Sequence, residues 1–248
     1  MARGSCVDEH VRARKAGRRR WQGINMPGPE LPGLARACQA LAEGAVVVVP
    51  NPPPMTYGIV ATSARALNAI KRRPLEQNVG VSLHEQSQWS AVASSIELSA
   101  AALSAAAGLM EQRFTVLLPM RPGRPPPGWF TPAVRDGYLA AFNGCWAPTA
   151  RLWKEFPRLY GSSANVSGEA PADSAARAVE MFGTDCVVLD ADAVDGPAVE
   201  RQASTMVRID RLGRLTLHRA GAQSKASGLG PEEFLEQLAA EVGLSRSR

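Results

Sequence analysis

The chain has 248 residues, of which 45% are hydrophobic, and this is enough for one domain with a substantial core. Its net charge of +5 is concentrated at one end, because residues 1–20 hold seven basic and two acidic side chains while the other 228 residues hold 21 of each sign. A neutral body argues against a broad nucleic-acid-binding face and leaves room for a local basic cleft.

Cysteine spacing and hydropathy argue against two further classes of protein. The cysteines at positions 6, 38, 145 and 186 lack CxxC or metal-finger spacing, so we interpret them as reduced packing residues. No secretion signal follows the basic start of the sequence, and no apolar run of about 18 residues has the character of a membrane span. We therefore predict a cytoplasmic protein without a membrane partner.

The basic start and a Pro/Gly-rich run set the expected domain organisation. Residues 1–32 are predicted to form a disordered basic tail, because a charge run and then a Pro/Gly-rich run are typical of linkers. The main domain is expected at residues 33–222. Residues 223–248 are expected to form a linker and a C-terminal helix.

In the first half of the domain, helical apolar spacing alternates with short apolar runs. The run Ala45–Val49 is continuous and β-branched, which is typical of a strand buried on both faces. A helix followed by such a strand indicates an α/β fold. The predicted elements are helices Leu34–Glu43 and Ala64–Arg72, two helices within Ser87–Met110, and strands Ala45–Val49, Val79–Leu83 and Phe114–Leu118.

In the second half, a proline-rich loop from Met120 to Gly128 precedes further helices and strands. Two segments of alternating polarity, Ser204–Ile209 and Arg214–Arg219, flank Asp210–Gly213 and predict a β-hairpin. The other predicted elements are a short strand Pro132–Arg135, helices Pro148–Phe156, Ser174–Phe182 and Pro231–Val242, and strand Cys186–Leu189.

The stretch Leu159–Pro171 has the clearest ligand-binding pattern in the sequence. It places Ser163, Asn165 and Ser167 between two glycines, just before a predicted helix. Small residues and glycines let a backbone approach an anion closely, so the pattern predicts a phosphate or carboxylate cradle. A Ser/Asn turn that caps the following helix is the alternative.

A basic cluster, Lys71-Arg72-Arg73, ends a predicted helix just before Pro74. Cations at this position favour the negative end of the helix dipole, and they could also reach into a phosphate site. We expect both Lys71 and Arg73 at an exposed helix end. His84 ends the next predicted strand, where a structural histidine with satisfied ring nitrogens is the simpler interpretation.

The order of these motifs resembles the Sua5/YrdC/TsaC family, the threonylcarbamoyl-AMP synthases of tRNA modification, over roughly Leu34–Ala222. The most specific match is the Ser-Ala-Asn-x-Ser-Gly signature at Ser163–Gly168. Any one motif is weak, whereas their common order is similar to that of a divergent member. The other matches are Tyr57-Gly58, Lys71-Arg72-Arg73-Pro74, Ser82-Leu83-His84, Thr115, Ala133-Val134-Arg135, Ser204-Thr205 and Arg219-Ala220-Gly221.

The resemblance implies an α/β fold in which a YrdC-like twisted, mixed, open sheet and flanking helices surround a deep cleft. It implies a nucleotidyltransferase similar to L-threonylcarbamoyladenylate synthase. Such an enzyme uses ATP, with Mg²⁺ as a helper, to convert L-threonine (or another amine) and bicarbonate into a carbamoyl-adenylate and pyrophosphate. The product serves the t6A modification of tRNA, so tRNA or tRNA-modifying proteins are the implied partners.

The resemblance also implies roles for individual residues. Adenylyl transfer needs cations that offset the charge of the phosphates, and the fork of Arg135 matches a carboxylate. No protein ligand for a metal is implied. The implied site comprises Lys71 and Arg73 as catalytic and triphosphate-binding residues, Thr115, Ser163, Asn165 and Arg219 as further nucleotide-binding residues, and Thr56, Tyr57, His84, Arg135 and Ser204 on the amino-acid side.

Two departures from the family pattern keep other functions open. The Pro-rich Asn51–Thr56 replaces a shorter Thr-Asp-Thr loop, and Glu111-Gln112-Arg113 replaces the Pro-Gly-Pro before the Thr strand. One alternative is therefore an enzyme that forms a carbamoyl-adenylate from another amine. The other is a non-catalytic nucleotide-binding or RNA-binding module that uses Arg12–Arg20 to contact RNA.

Overall fold

The computed structural model describes residues 30–183, 185–192 and 200–247, so the predicted tail up to residue 29 lies outside the described residues. None of the described helices is long and apolar enough to cross a membrane. The helices are α1 (Leu34–Ala42), α2 (Ala64–Ile70), α3 (Gln86–Val92), α4 (Ala100–Glu111), α5 (Ala150–Glu155), α6 (Ala175–Phe182), α7 (Ala222–Ala226) and α8 (Pro231–Val242). The strands are β1 (Val47–Val49), β2 (Gly58–Ala61), β3 (Gly80–Ser82), β4 (Thr115–Pro119), β5 (Val134–Arg135), β6 (Tyr138–Phe142), β7 (Tyr160–Ser163), β8 (Val187–Val188), β9 (Met206–Ile209), β10 (Arg214–Arg219) and β11 (Ser245–Arg246).

The eleven described strands form one mixed sheet. Its order is β11-β10-β9-β4-β6-β3-β7-β2-β1-β8, and β5 pairs with β6 outside this path. The pairs β1 with β8, β3 with β6, β4 with β9 and β10 with β11 are parallel, and the remaining pairs are antiparallel. The predicted α/β class, a twisted mixed sheet with flanking helices, is confirmed.

A larger core covers one face of the sheet. Val48 of β1 and Val116 of β4 contribute to it, together with Leu67 of α2, Leu109 of α4 and Phe234 of α8. Burial of each large apolar side chain stabilises the fold by about 1.5–3 kcal/mol. Helix α8 therefore packs into the main core, and the predicted division of the chain into three parts stays a prediction.

A smaller core lies on the opposite face, because successive residues of a strand point to opposite sides of the sheet. Val47 and Val49 of β1 belong to it, whereas Val48 between them belongs to the larger core. Leu41 of α1 and Trp153 of α5 pack over these valines. The described members of this core thus lie toward the β8-β1-β2 end of the sheet.

Trp153 is the largest side chain of the smaller core and is 1% exposed. Its Nε1 donates a hydrogen bond to Thr149 Oγ1 at 3.1 Å, which satisfies the polar atom of the ring. The ring lies against Gly144, where an added Cβ would overlap three ring atoms. Glycine at position 144 is therefore a packing requirement.

Three central strands, β2, β6 and β7, form where the sequence pattern predicts none. Strand β7 occupies the beginning of the stretch that was interpreted as a cradle. It contains one glycine and two serines, which are weak strand formers, yet β2 and β3 hydrogen-bond to it from both sides. Pairing with its neighbours therefore outweighs local propensity.

The alternative interpretation of the Ser/Asn stretch, a turn that caps the next helix, is wrong. Helix α6 begins at Ala175, and its cap is Ser174, whose Oγ accepts a hydrogen bond from Arg177 N at 3.2 Å. The Ser/Asn residues lie earlier in the chain, at the end of β7 and in the loop that follows it. They therefore do not cap α6.

Gly144→Ala tests the contact with Trp153. We expect the substitution to lower the free energy of unfolding by about 1–3 kcal/mol, because an overpacked core must shift side chains or backbone. Gly108→Ala is the matched control, since a Cβ at Gly108 in α4 would meet nothing within 4 Å. Alanine there should leave stability unchanged or raise it by up to about 1 kcal/mol. Urea unfolding measures both, and equal stabilities would contradict the packing argument.

Candidate functional site

A pocket of about 560 Å³ opens on the face of the sheet that carries the smaller core. Alternate residues of β4, β6 and β9 line it, and the residues between them belong to the larger core on the other face. Thr115 lines the pocket, for example, and Val116 is buried behind it. The alternating residues of this floor are Thr115 and Leu117 of β4, Tyr138, Ala140 and Phe142 of β6, and Met206 and Arg208 of β9, and Gly161, Ser162 and Ser163 of β7 also line the pocket.

The Phe142 ring lies flat in this floor because two neighbouring strands have glycine beside it. A Cβ at Gly80 would come within 3.1 Å of the ring, and a Cβ at Gly161 would overlap it. Trp153 meets Phe142 edge-on, with ring centroids 6.4 Å apart. The glycines thus create an apolar surface at the bottom of the pocket.

The charged lining of the pocket is strongly cationic. Four arginines contribute to it, and Asp136 is the carboxylate among the described lining residues. The guanidinium group of Arg208 lies 4.7 Å from the centroid of the Tyr138 ring, and its buried Nε has no hydrogen-bond partner in the described part of the chain. Such a cation is available to an anionic ligand. The four arginines are Arg113, Arg135, Arg208 and Arg219.

Hydroxyl groups from distant segments join these cations. Thr115 Oγ1 and Ser204 Oγ are 2.9 Å apart, and Arg219 Nη2 donates to Ser204 O, also at 2.9 Å. Thr56, which is 5% exposed, and Ser163 also line the pocket. Hydroxyls and guanidinium groups suit phosphate and carboxylate oxygens as ligands.

The prediction that Lys71 lies at an exposed helix end is wrong. Helix α2 ends at Ile70, and the Lys71 side chain, 2% exposed, turns inward toward the loop after β7. Its ammonium group donates to Ser163 O at 2.6 Å, Asn165 O at 2.7 Å and Asn165 Oδ1 at 2.9 Å. These three bonds use the three donors of a lysine ammonium, so Lys71 holds the loop.

Two effects on the Lys71 ammonium oppose each other. Burial, and secondarily the nearby Arg73 guanidinium, lower the pKa of Lys71 to about 7. The three oxygen acceptors stabilise the charged form and act in the other direction. Burial at 2% exposure makes the first effect large.

Asn165 is also structural in this geometry. Its Oδ1 accepts from Lys71 and from Ser163 Oγ, the latter at 2.6 Å. Its Nδ2 donates to Val166 O and Glu169 O, both at 2.9 Å. Asn165 therefore fixes the loop, and Ser163 is the residue of this pair that lines the pocket.

Arg73, Tyr57 and His84 also have internal partners. Arg73 is half-buried, and its Nε donates to Asn68 Oδ1 at 2.7 Å. Tyr57 lines the pocket, but its hydroxyl donates to Asp192 Oδ1 at 2.7 Å. His84 has both ring nitrogens within 2.8 Å of internal oxygens. The structural interpretation of His84 therefore fits its surroundings.

Seven of the eleven predicted site residues line the pocket, and four do not. Two of these four, Lys71 and Asn165, lie behind Ser163 of the pocket wall, because each forms a hydrogen bond with Ser163. Arg73 lies behind Asn78 of the same wall, since its Nη2 donates to Asn78 O at 3.4 Å. The functional roles of all eleven stay predictions. Those that line the pocket are Thr56, Tyr57, Thr115, Arg135, Ser163, Ser204 and Arg219, and those that do not are Lys71, Arg73, His84 and Asn165.

Sequence reasoning missed Arg113 and Arg208. Arg208 is recoverable from strand alternation, because it lies four residues after Ser204 in the predicted strand Ser204–Ile209, and residues two apart in a strand share a face. Arg113 is not recoverable in this way, because it precedes β4 and has a left-handed backbone conformation with φ +71°.

The fold and its cation-lined pocket define an α/β protein that could bind an organic anion, and solved structures share this fold. The chain is similar to P. abyssi Sua5 complexed with L-threonine (TM-score 0.58, 19% identity, 86% of this chain and 58% of that one). It is similar to full-length HypF in the phosphate- and nucleotide-bound form (TM-score 0.57, 17% identity, 76% of this chain and 29% of that one). It is also similar to E. coli YciO (TM-score 0.56, 12% identity, 78% of this chain and 91% of that one). The chain thus spans little more than half of the Sua5 structure. A search among curated proteins gives no significant match.

Residues 39–221 match the family model of Sua5, YciO and YrdC proteins, which is described as "Telomere recombination". The match covers well over half of the chain. The protein therefore belongs to the Sua5/YciO/YrdC family, as the order of its motifs predicted.

Lys71→Met should remove a pH dependence of stability. The pKa of Lys71 is about 7 in the folded protein and 10.5 ordinarily, so between pH 7 and pH 10.5 the unfolded chain binds one proton more than the folded protein. The free energy of unfolding of the wild type should therefore rise between about pH 7 and about pH 9, and Lys71→Met should lack this rise. Urea unfolding across this range measures it.

The exposed Lys154 on α5 provides the matched control, as Lys154→Met also removes one lysine charge. The difference in the free energy of unfolding between wild type and Lys71→Met should widen as the pH rises. The corresponding difference for Lys154→Met should widen less. Parallel curves for wild type and Lys71→Met would show that the three oxygen acceptors keep the ammonium charged.

Proposed function

We propose that this protein synthesises threonylcarbamoyl-adenylate from L-threonine, bicarbonate and ATP and releases pyrophosphate, for the t6A modification of tRNA. The observation that carries the proposal is the convergence of Thr115, Ser163, Ser204, Arg208 and Arg219 on one pocket. Its volume of about 560 Å³ lies in the range of small-molecule sites. Family membership, a threonine-bound Sua5 and a nucleotide-bound HypF support the same function.

The proposed chemistry is an in-line displacement at the α-phosphorus of ATP. The amino nitrogen of threonine forms a bond to the carbon of bicarbonate, and a carbon–oxygen bond of bicarbonate breaks so that water leaves, which gives N-carboxythreonine. An oxygen of its new carboxylate then attacks the α-phosphorus. A phosphorus–oxygen bond forms there, while the bond to the bridging oxygen of pyrophosphate breaks and pyrophosphate leaves with its electron pair. Charge on the phosphate oxygens must be offset throughout, which is the task of fixed cations.

The described residues suit this task in different ways. Arg208 and Arg219 would contact phosphate oxygens directly, because both line the pocket. Ser163 Oγ, which donates its hydrogen to Asn165 Oδ1, would accept a hydrogen bond from the nucleotide. Lys71 would act as a positioning residue, since it binds the backbone carbonyl of Ser163 at 2.6 Å. The role of Lys71 is thus revised from direct triphosphate contact to support of the loop.

Mg²⁺ would be carried by the phosphates of ATP. The described residues contain no group of three or more His, Cys, Asp or Glu that could hold a metal ion. Asp136 is the carboxylate of the described lining, and it is paired with Arg135 at 3.3 Å. These residues do not fit a protein-held magnesium site, and the proposed roles of the arginines do not depend on one.

A related reaction with another amine is the second candidate, and the first loop favours it. In this loop Asn51 Nδ2 donates to Thr56 O, and Arg201 Nη1 donates to Asn51 O and Met55 O. The Pro-rich loop is therefore a fixed wall of the pocket rather than an open end. A wall that differs from the family pattern would change which amine fits.

Pyrophosphate release from ATP separates these candidates. We expect release that needs both bicarbonate and threonine, measured with and without bicarbonate and with a panel of amino acids. Release with a different amine supports the second candidate. Saturable nucleotide binding without any release supports a non-catalytic module and contradicts both enzymatic proposals.

Arg219→Ala should lower kcat/KM for pyrophosphate release by about 10²-fold or more, because one charge-stabilising donor is lost from the transition state. Arg211→Ala is the matched control, since Arg211 lies in the turn between β9 and β10 and pairs with Glu97 at the surface. Its activity should equal that of the wild type. Equal activity of both variants would remove Arg219 from the nucleotide site.

We further propose that the protein works in the cytoplasm and contacts tRNA through its basic N-terminal segment. Residues 1–20 carry seven basic side chains, and each phosphate contact adds to the salt dependence of binding. Deletion of residues 1–25 should leave pyrophosphate release unchanged and should lower both RNA affinity and its dependence on salt concentration. Filter binding over a salt series measures this, and identical slopes would exclude the segment.

A further inference from the structure

Arg113 is a pocket residue at a position where the backbone would prefer glycine. Helix α4 ends in a Schellman motif, in which Phe114 N donates to Leu109 O at 3.1 Å and Arg113 N donates to Met110 O at 3.0 Å. Arg113 occupies the left-handed position of this motif, with φ +71°. Glycine adopts this conformation without steric cost, whereas an arginine is strained there.

The Arg113 side chain is held at the pocket by one bond. Its Nη1 donates to Asn143 O at 3.0 Å, and both residues line the pocket. A guanidinium has five N–H donors, so others remain for a ligand. The Arg113 side chain is half-buried, so its charge is poorly solvated, and this burial lowers the pKa of Arg113. A desolvated cation of this kind is most stable beside an anion.

The two departures from the family pattern meet near Arg113. Gln223 Nε2 contacts Met55 Sδ of the Pro-rich loop at 3.8 Å and donates to Gln112 O at 3.2 Å. The altered loop Asn51–Thr56 and the altered segment Glu111–Arg113 therefore lie on either side of one glutamine. Two of the departures from the family pattern are thus close together beside the pocket.

The surroundings of this corner suit an organic group more than a polyphosphate. Asn143 is followed by Gly144, which packs against the ring of Trp153. Met55 is 6% exposed and lines the pocket from the other side. An arginine fork beside apolar groups matches a carboxylate on a small carbon skeleton.

We propose that Arg113 binds the carboxylate of the amino-acid co-substrate. This inference rests on the proposed function. It also moves the carboxylate contact away from Arg135, whose side chain is 71% exposed and lies 3.3 Å from Asp136. An exposed arginine that already has an acidic partner gains little from a second one.

Arg113→Gly separates this role from folding. Glycine suits the left-handed position, so the melting temperature should stay the same or rise by about 2 °C. The KM for threonine in pyrophosphate release should rise by about 10- to 100-fold, as expected for loss of a charged hydrogen-bond pair, while the KM for ATP stays within about twofold. Arg113→Lys should restore part of the threonine affinity, because it keeps the charge and loses the fork.

Threonine amide, which lacks the carboxylate charge, is the second probe. The wild type should prefer threonine over the amide by at least about tenfold, and Arg113→Gly should lose this preference. An intact preference in Arg113→Gly, or a rise in the KM for ATP alone, would overturn the proposal.

Calorimetric binding of threonine, other amino acids and threonine amide tests the same claim without turnover. If the wild type releases no pyrophosphate, the proposed function fails, and the loss of amino-acid binding in Arg113→Gly still decides the role of Arg113. Failure of the wild type to bind any amino acid would overturn that role.

Discussion

The hydrogen bonds of the buried Lys71 amino group are the interaction on which the pocket wall depends. It joins the end of α2 to the loop after β7 through three oxygen acceptors, two of them backbone carbonyls. Removal of this amino group would leave those carbonyls buried without a donor, which is costly in an apolar interior. The position of Ser163 in the pocket is therefore set by a residue that does not itself line the pocket.

The second constraint is that helices and apolar side chains cover the two faces of the sheet to different extents. One face carries the larger core, while helices α1 and α5 cover the other face toward β8, β1 and β2. The central strands then present alternate side chains to the pocket. Short side chains such as Ala140 leave space there, Gly161 makes room for the Phe142 ring, and Arg208 and Arg219 supply charge. The same strands thus build the core with one set of residues and the site with the other.

Individual elements show how far local patterns reach. The β-branched run at β1 and the amphipathic helix α8 follow directly from residue type and spacing, since both bury apolar faces that the sequence displays. Strands β6 and β7 do not, because two alanines lie in the middle of β6 and one glycine and two serines follow Tyr160 in β7, and these are weak strand formers. Their hydrogen-bond partners come from segments far away in the chain.

The sequence by itself determined the family, the α/β class and the set of polar residues from which a site could be built, because motif order and apolar periodicity are local properties of the chain. Only the tertiary structure decided which of those residues reach the pocket. Lys71 and Asn165 share one motif set with Ser163, yet they turn inward, while Arg113 and Arg208 carry no motif and line the pocket. The direction of a side chain depends on what packs against its element, and those neighbours come from distant parts of the sequence.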